Sequence, residues 1–289
     1  WKMKPKNKRI LASVFKWILI LIVAFIILLP LLWIFTSSIS PADELFSSPI
    51  HYIPKHPTLD NYIRIFTQMN LGEKILNTAI ITVCSLILST VICLMSAYAF
   101  TRYSGKGLTL VYAAIVASAL IPGIVTARPL YDLMKQFGLI DTFPGLVIMY
   151  TSALIPFTML ILGNFLSEIP VSMDEAAEID GCNMFQYFVK IVLPLSKAII
   201  AIMALYYAVG HWNSFFNGMI YVTNMKLYPL QVILRDILIS GQSVDPSSMD
   251  PDALEIMKQI ARTIKYGVMI VSSLPVLIMY PCLLYTSPS

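Results

Sequence analysis

Residues 175–194 read EAAEIDGCNMFQYFVKIVLP. On either side, residues 143–166 and 198–225 contain no Asp, Glu, Lys or Arg. A helix rises about 1.5 Å per residue, so about 20 such residues cross the roughly 30 Å hydrocarbon core of a bilayer. The quoted stretch therefore reads as a loop between two membrane spans. Its charge is unusual for a cytoplasmic loop, where Lys and Arg are expected in excess. Residues 168–190 hold five acids (Glu168, Asp174, Glu175, Glu178, Asp180) and one base, Lys190. A pressure other than topology has shaped it.

The rest of the chain fits the same frame. Of 289 residues, 57% are hydrophobic and only 12% charged, with a mean hydropathy of +0.76. Soluble chains carry about 25% charged residues. Further uncharged runs cover residues 17–35, 75–100, 108–127 and 266–285. The expected fold is thus an all-α integral membrane domain of six transmembrane helices over residues 17–285. A membrane barrel would instead alternate apolar and polar residues, which these runs do not do. Lys2, Lys4, Lys6, Lys8, Arg9 and Lys16 crowd before the first run. That places residues 1–16 in the cytoplasm as an N-terminal segment, with the first span uncleaved. Over the whole chain, this cluster included, ten Lys and Arg fall on the expected inside and ten on the outside, so orientation rests on this cluster. Inner loops are then expected at 101–107 and 167–197, and outer loops at 40–74, 128–142 and about 226–265. The basic residues serve topology, and nucleic acid is not an expected partner. Four cysteines without a C-x-x-C pair indicate neither a disulfide framework nor a metal site. The chain begins with Trp1 and ends CLLYTSPS; both ends are expected to be incomplete, and residues 282–289 to be non-native sequence.

Within the loop, Ser172-x-x-Glu175 has the spacing of a capping box, and Asp174 and Glu175 suit a helix N-terminus. A first short helix is expected over 173–180. Gly181 would end it in the left-handed conformation. Asn183 would cap a second helix, MFQYFVKIV, which Pro194 helps to stop. Met184, Phe188 and Ile191 would form its apolar stripe. Ala176 and Ala177 keep the first helix thin, so another backbone could approach closely. A rigid helix–glycine–helix with these features suits insertion into a cleft on a soluble partner. Taken on its physics alone, it equally suits a folded connector with no partner.

The spacing E-A-A-x-x-x-G, nine residues, I-x-L-P is met by Glu175, Ala176, Ala177, Gly181, Ile191, Leu193 and Pro194. This resembles the EAA loop of permease subunits of bacterial binding-protein-dependent ABC importers. ALIPGIVTARPLYDLMKQFGLIDT (119–142) is similar to the maltose-type, MalG-like carbohydrate permeases. LYYAVGHWNSFFNGMIYVTNMKLYPLQVILRDIL (205–238) is similar to their LplC-like branch, whose members import oligosaccharides. The resemblance implies a type I ABC importer permease fold in the bacterial cytoplasmic membrane. It implies that Glu175, Ala176, Ala177, Asp180, Gly181, Ile191, Leu193 and Pro194 couple to a separate ATPase. It also implies a second, related permease subunit as heterodimer partner, an extracytoplasmic solute-binding lipoprotein and a carbohydrate substrate. No G-x-x-x-x-G-K-[ST] occurs, so ATP and Mg belong to the ATPase and no cofactor is expected on this chain.

Polar groups within a bilayer are costly and mark candidate sites. Tyr206, Tyr207, His211, Trp212, Asn213 and Asn217 fall on neighbouring stripes of the fifth apolar run, with Ser214. They offer aromatic faces and amides, the groups that hold sugars. The same residue types also form interface belts and helix–helix contacts. Asn77, Thr78 and Asn164 are weaker candidates. Arg128 and Asp132, at i, i+4, read as a gate, a docking point or a solvated helix end. Pro30, Pro122, Pro156 and Pro275 would kink spans. Two other classes compete. An ion-driven transporter would want charged groups inside its spans. A membrane enzyme would want a catalytic cluster, for which His51, His56 and Asp60 are poor material. Neither catalytic nor metal-binding residues are expected.

Overall fold

In lipid no water satisfies backbone N–H and C=O groups, so apolar runs must satisfy them internally. The computed structural model describes residues 5–45, 52–240 and 263–278, and every regular element in them is helical. Two compact units are present: Trp1–Asn70 with Asp236–Ser273, and Leu71–Arg235 with Leu274–Ser289.

In the first unit, α1 (Pro5–Ser38) runs unbroken through the basic segment and the first apolar run. Its most apolar 18-residue window, within Ser13–Ser38, contains no buried residue among the described residues, as a lipid-facing helix would. Pro30 lies inside it. Two short helices follow, α2 (Ala42–Leu45) and α3 (Asp60–Gln68). Asn61 of α3 donates to the carbonyls of Ser38 and Ser40 at 3.0 and 3.1 Å, tying α3 to the end of α1.

The second unit is built on two long helices, α4 (Leu71–Arg102) and α7 (Phe143–Ser167). They pack along their length. Between helices in lipid there is little hydrophobic drive, so close packing of small residues holds them. Ser85, Ser89, Cys93 and Ala97, each four residues apart on α4, are all fully buried. Ser85 also donates to the Val147 carbonyl at 3.3 Å. Gly145 on α7 is obligatory, because a Cβ there would stand 2.1 Å from the Leu139 carbonyl oxygen. A core of Leu94, Tyr98, Met159, Leu162 and Leu166 fills one end of the pair. Ile81, Leu146, Met149 and Tyr221 fill the other.

The third and fifth apolar runs depart from straight spans. Residues 108–127 divide into α5 (Lys106–Ser118) and α6 (Gly123–Gln136), which meet at 111°. Pro122 explains the break, since it lacks a donor and disfavours helix in the residue before it. Past the 167–197 loop, α11 (Lys197–Asn213) ends at Ser214, and α12 (Phe216–Tyr221) follows. Among the described residues, three helices are long and apolar enough to cross a membrane, or up to five if each bent pair is one span. A shorter apolar helix covers Thr263–Ile278. Across PLQVILRDIL a helix, α13, covers Leu230–Ser240. Expectations for Lys2, Lys4, His51, residues 241–262 and residues 279–289 lie outside the described residues.

Candidate functional site: a coupling loop and a facing cavity

The two termini of α4 sort the loops of the second unit. At its N-terminal end, Lys74 donates to the Met225 carbonyl and Asn77 to the Lys226 carbonyl. Thr78 accepts from the Leu230 N–H at 2.8 Å. Asn77 and Thr78 are therefore staples for the segment after α12, which removes them as substrate candidates. At the same end Asp141, at φ +58°, clasps that segment. Its carboxylate accepts from the Thr223 N–H (2.6 Å), the Thr223 hydroxyl (2.6 Å) and the Asn224 N–H (2.9 Å). The Thr223 hydroxyl, followed by the two amides, holds this carboxyl below the usual range. At the opposite end, Arg102 meets Asp174 of the 167–197 loop. So the expected outer segments gather at one end and the expected inner segments at the other.

The 167–197 loop contains α8 (Val171–Ile179), α9 (Met184–Tyr187), a π-helical turn (Phe188–Val192) and α10 (Leu193–Leu195). Gly181 stands between the helices at φ +78°, the left-handed conformation expected of it. Asn183 caps α9 by a full capping box with Gln186. The other expected box does not form. Pro170, which lacks an N–H, starts α8 two residues earlier than Ser172 allows. The expected stripe also shifts. Met184 is exposed, while Tyr187 and Val192 are buried with Phe188 and Ile191 packed beside them. The π-turn inserts an extra residue and rotates the residues C-terminal to it. Pro194 does not end the segment. It sits inside α10, and the chain turns by 72° into α11 only after Leu195.

The two alanines take different roles. Ala177 is buried against Tyr98, Tyr187 and Val192. Ala176 faces outward with Glu175, Glu178 and Asp180. Ile179 and Phe185, 87% and 71% exposed, flank the glycine turn. The outer face thus combines acids with two large apolar side chains, and its α8 part is smooth at Ala176. Such a patch on a rigid turn is material for a protein partner.

Between α7 and α11 lies a cavity of about 500 Å³, within the usual range for small-molecule sites of about 300–1,000 Å³. Tyr206, Tyr207, His211, Asn213 and Asn217 all line it. Trp212, the sixth expected residue, is buried and does not line it. The break at Ser214 brings Asn217 of α12 round to the same cavity. The His211 ring lies beside that of Tyr150, with centroids 5.0 Å apart and planes tilted by 55°. Its Nε2 is buried without a hydrogen-bond partner among the described residues, so it is available to a ligand hydroxyl. Tyr207 is held by Thr158 of α7 through their hydroxyls. Tyr206 is 59% exposed, its ring 5.9 Å from that of Phe157. Tyr150, from α7, was not among the expected residues. It donates to the Ser214 carbonyl at 3.0 Å and so fixes the break. The signal was present as a lone tyrosine in an uncharged span, but its partner comes from across the fold.

Asn164 is exposed on α7 and away from this cavity. Arg128 and Asp132 form a solvated i, i+4 pair at 3.1 Å, with side chains 85% and 50% exposed; they lie within α6 and not at a helix end. No group of three or more His, Cys, Asp or Glu able to hold a metal occurs among the described residues.

A helical bundle with a helix–glycine–helix turn at one end and an aromatic, amide-lined cavity between its helices defines a membrane transport subunit. The chain matches the family "Binding-protein-dependent transport system inner membrane component" over residues 6–223 and belongs to it. It is 33% identical over 261 residues to Protein LplC of Bacillus subtilis (strain 168), covering 90% of this chain and 86% of that one. A second B. subtilis (strain 168) protein, the polygalacturonan/rhamnogalacturonan transport system permease protein YtcP, is 33% identical over 264 residues, covering 91% and 90%. A chain of a bacterial ABC transporter involved in the import of the acidic polysaccharide alginate shares the fold. It has a TM-score of 0.81 at 23% identity, with 99% of both chains covered. The protein is a permease of the ABC importer class.

Proposed function

We propose that this chain is one of two related permease subunits of an ATP-driven importer for oligosaccharides. An extracytoplasmic binding lipoprotein delivers the sugar to the end of the bundle carrying Asp141 and Met225. The sugar passes the cavity between α7 and α11. Tyr206 and Tyr207 offer ring faces to its C–H side, and His211, Asn213 and Asn217 offer polar groups to its hydroxyls. Trp212 supports α11 from behind. ATP and Mg are used by separate ATPase subunits at the opposite, cytoplasmic end, where the N-terminus also lies. The membrane is crossed six times, two of the crossings being bent or broken.

The observation that carries this reading is the coupling turn. Glu175, Ala176 and Asp180 present outward on α8 and its end, Gly181 reverses the chain, and Ala177, Ile191 and Leu193 anchor the turn to the bundle. Pro194 stiffens the segment leading into α11. Relatives support the carbohydrate assignment by their names, which include polygalacturonan/rhamnogalacturonan and diacetylchitobiose transport.

The test is co-purification from gently solubilised native membranes. An ATPase and a second multi-span chain are expected with the parent. Gly181→Pro cannot adopt φ +78°, since proline is fixed near −65°. The variant is expected to enter the membrane normally and to lose the ATPase. Retention of the ATPase by the variant would disconnect the turn from coupling.

A further inference from the structure

α4 ends at Arg102, and Asp174 lies in the first turn of α8. Arg102 Nε approaches Asp174 Oδ2 to 2.7 Å, with side chains only 11% and 23% exposed. The same guanidinium donates from Nη2 to the Ile169 carbonyl at 3.0 Å, on the linker from α7 to α8. One cation therefore grips both the coupling helix and its stem. Tyr187, arriving from α9, interacts with both charges. Its hydroxyl, Arg102 Nε and Asp174 Oδ1 are all buried without an aligned hydrogen bond among the described residues, so the pair is held by charge at 2.7 Å. Elements α4, α8 and α9 thus converge on one ion pair, at the edge of a cleft of about 550 Å³.

Burying such a pair is often neutral for stability against an apolar replacement of similar size. What it adds is a fixed geometry. The neighbouring core around Ala177 is apolar and can slide. A guanidinium that holds a carboxylate by charge and a carbonyl by a hydrogen bond is tied at two points. α4 in turn packs on both α7 and α11, the two walls of the cavity.

We propose that the Arg102–Asp174 ion pair is the strut that carries displacement of α8 into α4, making both residues positioning residues for transport and not for ATPase docking. The docking face is separate: Ala176, Ile179 and Phe185 are exposed and do not line the cleft that holds the pair. This inference rests on the coupling reading above.

The experiment uses the whole complex in proteoliposomes and reads sugar taken up per ATP hydrolysed. Asp174→Asn and Arg102→Gln are expected to retain the ATPase and its hydrolysis. Each is expected to lower uptake per ATP at least about fivefold, the lower end of usual coupling between sites. Asp174→Glu keeps the charge and is expected to keep the ratio. The double variant Arg102→Gln with Asp174→Asn is expected to be no worse than either single, as for a pair acting as a unit. A parental ratio in Asp174→Asn, loss of the ATPase from it, or losses that multiply in the double variant would each overturn the strut. A parent chain that brings no ATPase at all would instead remove the importer reading on which the strut depends.

Discussion

Tyr150 and Tyr206 show how one residue type serves two ends on facing helices. Tyr150 is buried and donates to the Ser214 carbonyl. Tyr150→Phe keeps the ring and removes that bond, so it should destabilise the chain by about 1 kcal/mol, read as thermal unfolding in detergent. Tyr206 is mostly exposed on the cavity wall. Tyr206→Ala should leave unfolding unchanged and weaken apparent sugar affinity roughly fivefold, the equivalent of about 1 kcal/mol of aromatic contact. Equal effects of both variants on unfolding would put Tyr206 in the structural class. Asp141 offers a pH reading. Its folded-state pKa is depressed by the Thr223 hydroxyl and the Thr223 and Asn224 amides. A depressed carboxylate stabilises above its unfolded pKa, and that stabilisation is lost as pH falls through the folded value. The Thr223 and Asn224 amides should therefore exchange faster under acid below the usual carboxylate range and stay protected at neutral pH. Asp141→Asn tolerates the positive φ but should remove this acid dependence. Acid-insensitive protection in the parent would contradict it.

At the scale of elements, the sequence was legible wherever a local rule had no competitor. Gly181 and Asn183 form the turn and cap their positions dictate, because both motifs are settled within four residues. The Ser172 box failed because Pro170 already supplies a helix start two residues earlier. Of the expected stripe, Phe188 and Ile191 pack on the core and Met184 is exposed; the π-turn, which brings Val192 into the same core, cannot be read from apolar spacing. Uncharged runs located the membrane segments but not the bends at Pro122 and Ser214, since hydropathy is blind to direction. The small-residue stripe Ser85, Ser89, Cys93 and Ala97 was legible in principle, being a four-residue repeat of small side chains. Its partner α7 was not. Gly145 belongs to the same class: its need arises only from the Leu139 carbonyl that folding brings to it. Gly145→Ala should cost about 1–3 kcal/mol through overpacking, whereas Gly210→Ala, with open space around it, should be close to neutral. Equal unfolding temperatures for the two would show that the start of α7 yields more easily than its geometry implies.

For the whole molecule, ends matter more than residues. α4 connects the Asp141 and Met225 end to the end where Arg102 meets the 167–197 loop, and the cavity lies against the helices it packs on. Family membership assigns the transport class, and the energy source is the central claim. The most direct measurement is uptake of a labelled neutral oligosaccharide into proteoliposomes holding the full complex. Uptake should require ATP with the binding protein and be indifferent to an ionophore that collapses ion gradients. Uptake that continues without ATP and stops with the ionophore would contradict the account.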